Sequence, residues 1–432
     1  MSIHLRRSLV ATAIAVTAVL TFAGCSSANS ASGGNEKVTL TFANADTPST
    51  WAKAINGFEK ANPNITIKQL NIPYAQYAST INQRMSQGGD GIDLLVVDAG
   101  GALIDWKNRG YLGNLTSLKA DAEKAAVSKD MVTARTIDGQ LYALEPGTTS
   151  QFLYFNKSLL AKAGVNFPSS DPSTPWTYEQ LTSAANKVKD AGAATYPFLF
   201  DQWDTYYQLQ MIGRSAGGGD GISPTGKVDF ANAGWQKALT WYHDLFTSGI
   251  SPRGITNDQN DALFAAGKAA FMISGPWGVG ISNQAKLDYG IAPAPYFAGG
   301  SKATSTGSWG IAESSKSKNQ AAAEKFIRYL VINATGNKQA TEVDGLIPTN
   351  KITFAGMVKA TEASDGAATE NFGDILEYQL QNTAVHRPNV LGYSIFESGA
   401  DQMFSDIRNG SDPLTRAKQA DSDLNAQISR MK

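Results

Sequence analysis

The side chains able to carry chemistry form a short roster. Beyond the N-terminal segment the histidines are His243 and His386, far apart and outside any H-E-x-x-H or cysteine-rich pattern that would hold zinc. No G-x-S-x-G elbow presents a serine nucleophile, and GGGDG at 217–221 has neither the spacing nor the lysine of a phosphate-binding loop. That leaves carboxylates. Asp98, Glu145, Asp201 and Asp204 can converge, and glycoside hydrolysis needs only two acids at a fixed separation, which spacing along the chain leaves open. Nothing in the pattern asks for a metal or a cofactor.

Flat rings offer a second kind of chemistry. The chain holds 8 Trp, 15 Tyr and 18 Phe. Aromatic faces cover the apolar faces of sugars while acids, amides and an arginine satisfy the hydroxyls. Trp203 in FDQWDTYY, Trp277 in ISGPWG and Trp309 in TGSWGI stand beside charged residues, Gly or Pro rather than inside an apolar stripe. Each can face a ligand or fill a core. Arg387 in HRPN can clamp hydroxyls or pair with a surface acid.

The elements that must position these groups alternate strand and helix. VTLTFA (38–43) reads as a strand, and the helix after Asp46 and Pro48 puts Trp51, Ile55 and Phe58 on one face. NITIKQLNI is a second strand, the stretch from Tyr77 to Met85 a helix, and GIDLLVVDAG a strand buried on both faces, as in a parallel sheet. The fold class is α/β. Asp98 follows that buried run where open α/β sheets place ligand contacts. A lobe boundary falls near 145–150, after which a strand at 151–155 leads into a short helix ending near Gly164. Helices from near Thr177 (Leu181, Ala185, Val188) and from about Ala231 (Trp235, Leu239, Tyr242, Phe246) build a second core. The run AAFMIS (269–274) is followed by a break at GPWG, then by GSWGIA and the helix AAAEKFIRYLVI, with no internal repeat.

The amino terminus differs from this body. Arg6 and Arg7 precede an apolar stretch from Leu9 to Phe22, and Ala23, Gly24 and Cys25 lead into SSANSASGGN. Residues 1–24 are expected to be an export signal, and 25–37 a lipid anchor and flexible linker. TFAGC resembles a bacterial lipobox, which makes Cys25, the one cysteine, the lipidated residue on the outer face of the cell membrane. An uncleaved membrane anchor is the alternative, and it too places the body outside the cytoplasm.

A length of 432 residues, 42% hydrophobic, suits two or three domains at roughly 150 residues each. With 37 basic against 38 acidic residues, the balance argues against a nucleic-acid partner. Loss of Arg6 and Arg7 with the signal leaves 35 against 38, a formal charge of -3.

Taken in order, DGQLYALEPG with YFNKSLLAKAG, PWTYEQL, MISGPW, GSWGIA, AAEKFIRYL, DGLIPT and HRPNVLGY resemble a bacterial extracellular solute-binding protein of the carbohydrate ABC importers, the class that includes maltodextrin-binding proteins. The resemblance spans about 38–432. It implies a two-lobed periplasmic-binding-protein-like fold with a hinge and a ligand cleft between the lobes. The crossings fall near Leu144–Ser150, Thr306–Ile311 and Pro348–Phe354. The amino-terminal lobe combines 38–145 with 311–350, and the carboxy-terminal lobe 146–310 with 351–432. Carried over by position, Glu145 contacts sugar hydroxyls, Trp277 is a stacking platform, and Asp98, Asp201 and Trp203 are cleft-loop contacts. Asn44 and Asp46 occupy the first strand-to-helix loop, Arg387 a late cleft position, and Trp309 stands beside the second crossing. Trp106 is a further possible platform.

The implied function is capture of an oligosaccharide by cleft closure, without covalent chemistry, for an ABC importer permease by a lipid-anchored monomer. The competing readings are a secreted glycoside-processing enzyme and a noncatalytic sugar sensor.

Overall fold

In the computed structural model the described residues are 37–89, 91–97, 101–201, 204–343, 345–365 and 371–431. Residues 1–36, expected to hold the export signal and the lipidated Cys25, lie outside them, as do Asp98 and Trp203.

The first sheet is built from short apolar strands: β1 (Val38–Asn44), β2 (Ile65–Asn71) and β3 (Leu94–Val97). All four residues of β3 are buried, because helices cover both faces of a parallel sheet. Helix α1 (Pro48–Ala61) starts with a proline, whose missing N–H costs nothing in a first turn. Its buried stripe of Trp51, Ala54, Ile55 and Phe58 repeats at helical spacing. Helix α2 (Tyr74–Ser86) sends the Tyr77 hydroxyl between the strand ends: it accepts the Val96 N–H at 3.0 Å and lies 2.9 Å from Val96 O and 3.1 Å from Ala43 O. Helix α3 (Gly101–Asn108) follows.

The second sheet takes β4 (Phe152–Asn156), β5 (Tyr196–Phe200), β6 (Ala269–Ser274) and β7 (Tyr289–Pro293), in the order β7-β4-β6-β5. Strands β5 and β6 run parallel, and the other neighbours are antiparallel. Around it pack α4 (Tyr178–Asp190), α5 (Tyr206–Ser215), α6 (Ala233–Thr247) and α7 (Trp277–Gln284). Helix α4 opens on a Thr177–Gln180 capping box, and α6 starts where Asn232 accepts the Trp235 N–H at 3.0 Å. The segment GPWG, expected as a break, turns the chain and starts α7 at Trp277.

Strand β8 (Gly310–Glu313) then returns to the first sheet, antiparallel to β3, giving the order β8-β3-β1-β2. Helix α8 (Gln320–Val331) follows it there, stacking Phe326 edge-on against Phe58 with ring centres 4.9 Å apart. After α9 (Ala334–Thr341), the helices α10 (Lys351–Asp365), α11 (Phe372–Asn382), α12 (Tyr393–Arg408) and α13 (Pro413–Ser429) complete the chain. One core joins Leu40–Leu144 with Ile311–Ala340, and a second joins Leu153–Ala303 with Val390–Ile428. The result is a two-lobed α/β fold of the periplasmic-binding-protein type.

Three extended segments run side by side between the lobes. Leu144 pairs with Ile311 through two backbone bonds, and Gly147–Thr148 pairs antiparallel with Ile347–Pro348. Threonine hydroxyls tie them further: Thr306 donates to Thr149 O at 2.5 Å, Thr149 to Gly307 O at 2.8 Å, and Thr349 to Glu145 O at 2.6 Å. Among the described residues no helix is long and apolar enough to cross a membrane, and no cluster of His, Cys, Asp and Glu could hold a metal ion.

Candidate functional site

At the end of β6 the chain passes Ser274, turns through Gly275 and Pro276, and presents Trp277, whose indole is partly exposed. The ring lies across Gly275, where a Cβ would stand 2.2 Å from it, so only glycine fits. The indole N–H donates to Asp201 Oδ2 at 3.0 Å, and Tyr154 donates to Gly275 O at 2.6 Å. Asp201 is 3% exposed and closes β5 against β6 through its own N–H to Ile273 O. A partly exposed ring fixed at its edge can stack on a flat solute.

A second group surrounds the crossings. The Arg135 guanidinium is buried against the Glu145 carboxylate and donates to Ser308 O at 2.6 Å, joining the first and second crossing segments. Burial raises the Glu145 pKa, against the opposing pull of Arg135 and Arg387. Glu145 Oε2 is shielded from solvent, and the Ser308 backbone also pulls the Glu145 pKa down. The imidazole of His386 is held down to about 4 by burial and by the two guanidiniums of Arg135 and Arg387. Arg387 lies over the Tyr207 ring at 5.4 Å and pairs with Glu397 at 3.7 Å. The Tyr207 hydroxyl meets Thr149 Oγ1 at 2.5 Å and accepts from Gln151 Nε2 at 3.0 Å. Because Tyr207 feels the charges of both Arg387 and Asp201, it links the two groups.

The remaining sequence-selected residues stand on the first lobe. Asn44 is fully buried; its side chain spans Gln69, Asn71 and the Asp46 N–H. Asp46 accepts the Trp51 indole N–H at 2.7 Å, and burial raises its pKa. Trp309, next to Ser308, is partly exposed and meets Tyr77 edge-on with ring centres 6.4 Å apart. Trp106 is 3% exposed and bonded to Asn82, as a core ring is. Asp204 pairs with Arg408 at 3.4 Å. The structure thus joins Asp201 to Trp277 directly, and Glu145 to Arg387 through electrostatics. An apolar groove of about 730 Å³ takes Val279 and Asn283 from the other side of α7 and includes none of these residues.

Sequence reasoning missed Arg135, Thr149, Gln151, Tyr207 and His386. The signal for Tyr207 was local: Thr205 caps α5 through the Gln208 N–H. That cap fixes the helix phase, burying Tyr206 completely and leaving Tyr207 partly exposed.

Residues 44–335 match the family model described as bacterial extracellular solute-binding protein. The maltodextrin-binding protein MdxE of Bacillus subtilis is 26% identical over 400 residues, 90% of this chain and 89% of its own. Among solved structures, the ABC substrate-binding protein Lmo0181 from Listeria monocytogenes in complex with cycloalternan superposes with a TM-score of 0.74 at 21% identity, covering 91% of this chain and 100% of its own. The GacH receptor of Streptomyces glaucescens, solved unliganded and with acarbose, gives 0.73 at 21% identity, covering 91% and 99%. With the family model covering more than half of its length and the two-lobed fold around three crossings, the chain belongs to the bacterial extracellular solute-binding proteins, whose task is capture rather than catalysis.

Proposed function

We propose that the chain is the carbohydrate-capturing component of an ABC importer, taking an oligosaccharide into its cleft and handing it unchanged to the permease. The observation that carries this reading is the Trp277 indole, partly exposed and fixed at its edge by Asp201. Arg387, Trp309 and Glu145 supply further contacts, and Asp98 and Trp203 belong to the same proposed set. Asn44, Asp46 and Asp201 act by shaping the walls. Relatives named for maltodextrin, and neighbours solved with cycloalternan and acarbose, support the oligosaccharide class.

The lobes on this reading are 38–145 with 311–350 and 146–310 with 351–432; the two larger cores keep to these halves, and a third, smaller one joins Met131 and Ile347 to the second half. The body works as a monomer, tethered by lipid at Cys25. Solute that contacts both lobes binds the closed form more tightly and shifts the population toward it.

Calorimetry of the mature protein beginning after Cys25 against α- and β-linked oligosaccharides, with chromatography of each mixture, tests the reading. Saturable one-to-one binding with the sugar intact is the expected result. Folded protein that binds none of a broad panel would sink the oligosaccharide assignment, and cleavage products would replace capture with hydrolysis.

A further inference from the structure

Behind the Trp277 platform two carboxylates meet at one hydroxyl. Ser274, fully buried at the end of β6, has its Oγ 3.1 Å from Asp201 Oδ2 and 2.9 Å from Asp261 Oδ1. A serine carries one proton, so two full hydrogen bonds at its Oγ are met when one acid accepts and the other donates. Asp201 Oδ2 also receives the indole N–H of Trp277 at 3.0 Å, whereas the indole's pull on Asp261 is the smallest of the influences on that acid, so Asp201 is the better-placed acceptor of the two. Asp261, on the helix Asn257–Ala265, is the acid left to donate.

We propose that Asp261 is a positioning residue for the Trp277 platform: as a neutral acid it donates to Ser274 Oγ, Ser274 donates to Asp201, and Asp201 receives the indole N–H. Burial raises the Asp261 pKa, in agreement with the assignment. The Tyr154 phenol from β4 faces both acids, and its own pKa stands well above the ordinary range, which keeps it neutral beside them. Close packing leaves the chain little room to rearrange. At Gly278, in the first turn of α7, a Cβ would already stand 3.4 Å from Asp261 Oδ1 and 3.2 Å from the Tyr154 ring. The inference deepens the solute-capture reading and rests on it for its consequence in binding, but not for its consequence in structure.

The structural arm needs no ligand. In the mature chain, the near-ultraviolet circular dichroism of wild type minus Trp277→Phe isolates this indole. Asp261→Ala and Ser274→Ala should each remove at least about half of that difference signal. Asp261→Asn, whose amide donates as the neutral acid does, should keep it. Titration with maltotriose should then show about tenfold weaker binding for the two alanine variants and a change of about twofold or less for Asp261→Asn. An unchanged indole signal in both alanine variants overturns the proposal, and so does an Asp261→Asn variant as impaired as Asp261→Ala. If wild type fails to bind maltotriose while the spectra respond as expected, the positioning chain stands and maltotriose is excluded as the solute.

Discussion

Arg135 and Glu145 are charges taken out of water together, and neither has solvent to turn to once the other is gone. Removing one partner of such a pair leaves an uncompensated buried charge, at a cost of about 3–5 kcal/mol. Arg135→Ala should therefore lower unfolding stability in urea by that amount, and the double change Arg135→Met with Glu145→Gln by less. A single variant as stable as wild type would mean the pair is hydrated. His386 makes a pH prediction. Its folded pKa of about 4 lies below the ordinary 6.5, so its contribution is fully present above pH 6.5 and is lost as pH falls toward 4. Glu313 and Asp401 work in the opposite sense: burial raises both to about 7, and their contribution is lost as pH rises toward that value. The comparison of wild type with His386→Gln, rather than either profile alone, isolates the histidine. The gap in stability should narrow by about 2 kcal/mol between pH 7 and pH 4.5, allowing for partial solvent screening.

Among the elements, two helical glycines separate backbone preference from packing. At Gly234 in α6 a Cβ would stand 2.1 Å from the Gly218 backbone nitrogen, which cannot move aside as a side-chain tip can. At Gly356 in α10 nothing lies within 4 Å. Gly356→Ala should stabilise by about 0.5–1 kcal/mol through helix propensity, whereas Gly234→Ala should cost about 1–3 kcal/mol despite the same propensity gain. Thermal melts of the two variants moving in the same direction would contradict this. The sheets were legible in the sequence because β3 and β6 are continuous apolar runs, and the helices because stripes such as Trp51–Ile55–Phe58 keep the helical period. The paired crossing segments were not legible as strands: Gly147–Thr148 and Ile347–Pro348 are two residues each, too short to have a period. The site was legible residue by residue but not as contacts. Trp277 and Asp201 each stood out, yet their bond joins the ends of two strands 76 positions apart. Asp261, in NDQNDALF, reads as a surface helix residue until the fold turns it toward Ser274.

Across the whole molecule, the lobes touch where α3 of the first meets the start of α12 in the second. Gly392, the residue before α12, supplies no side-chain cap, and its N–H instead faces the Asp105 carboxylate from the opposite lobe, pulling that acid's pKa down against the effect of burial. Asn389 adds a bond to Ala134 O at 2.7 Å. An acid at a helix N-terminus contributes about 0.3–1 kcal/mol, and here opening the cleft forfeits it. Asp105→Ala should therefore raise the ligand-free radius of gyration in small-angle scattering and weaken solute binding by about two- to fivefold. An unchanged scattering curve would show that closure does not depend on this contact.

The interleaving of the lobes also governs how the chain comes into being. Strand β3 is paired on one side by β8, which follows the entire second sheet in sequence. A ribosome delivering the amino terminus first holds the apolar run Leu94–Val97 without that neighbour while some two hundred further residues are made. At about 5–20 residues per second that is an interval of roughly 10–40 s. Until β8 arrives, on the ribosome or across the membrane, the β3 edge of the first lobe stays open to pairing with another strand.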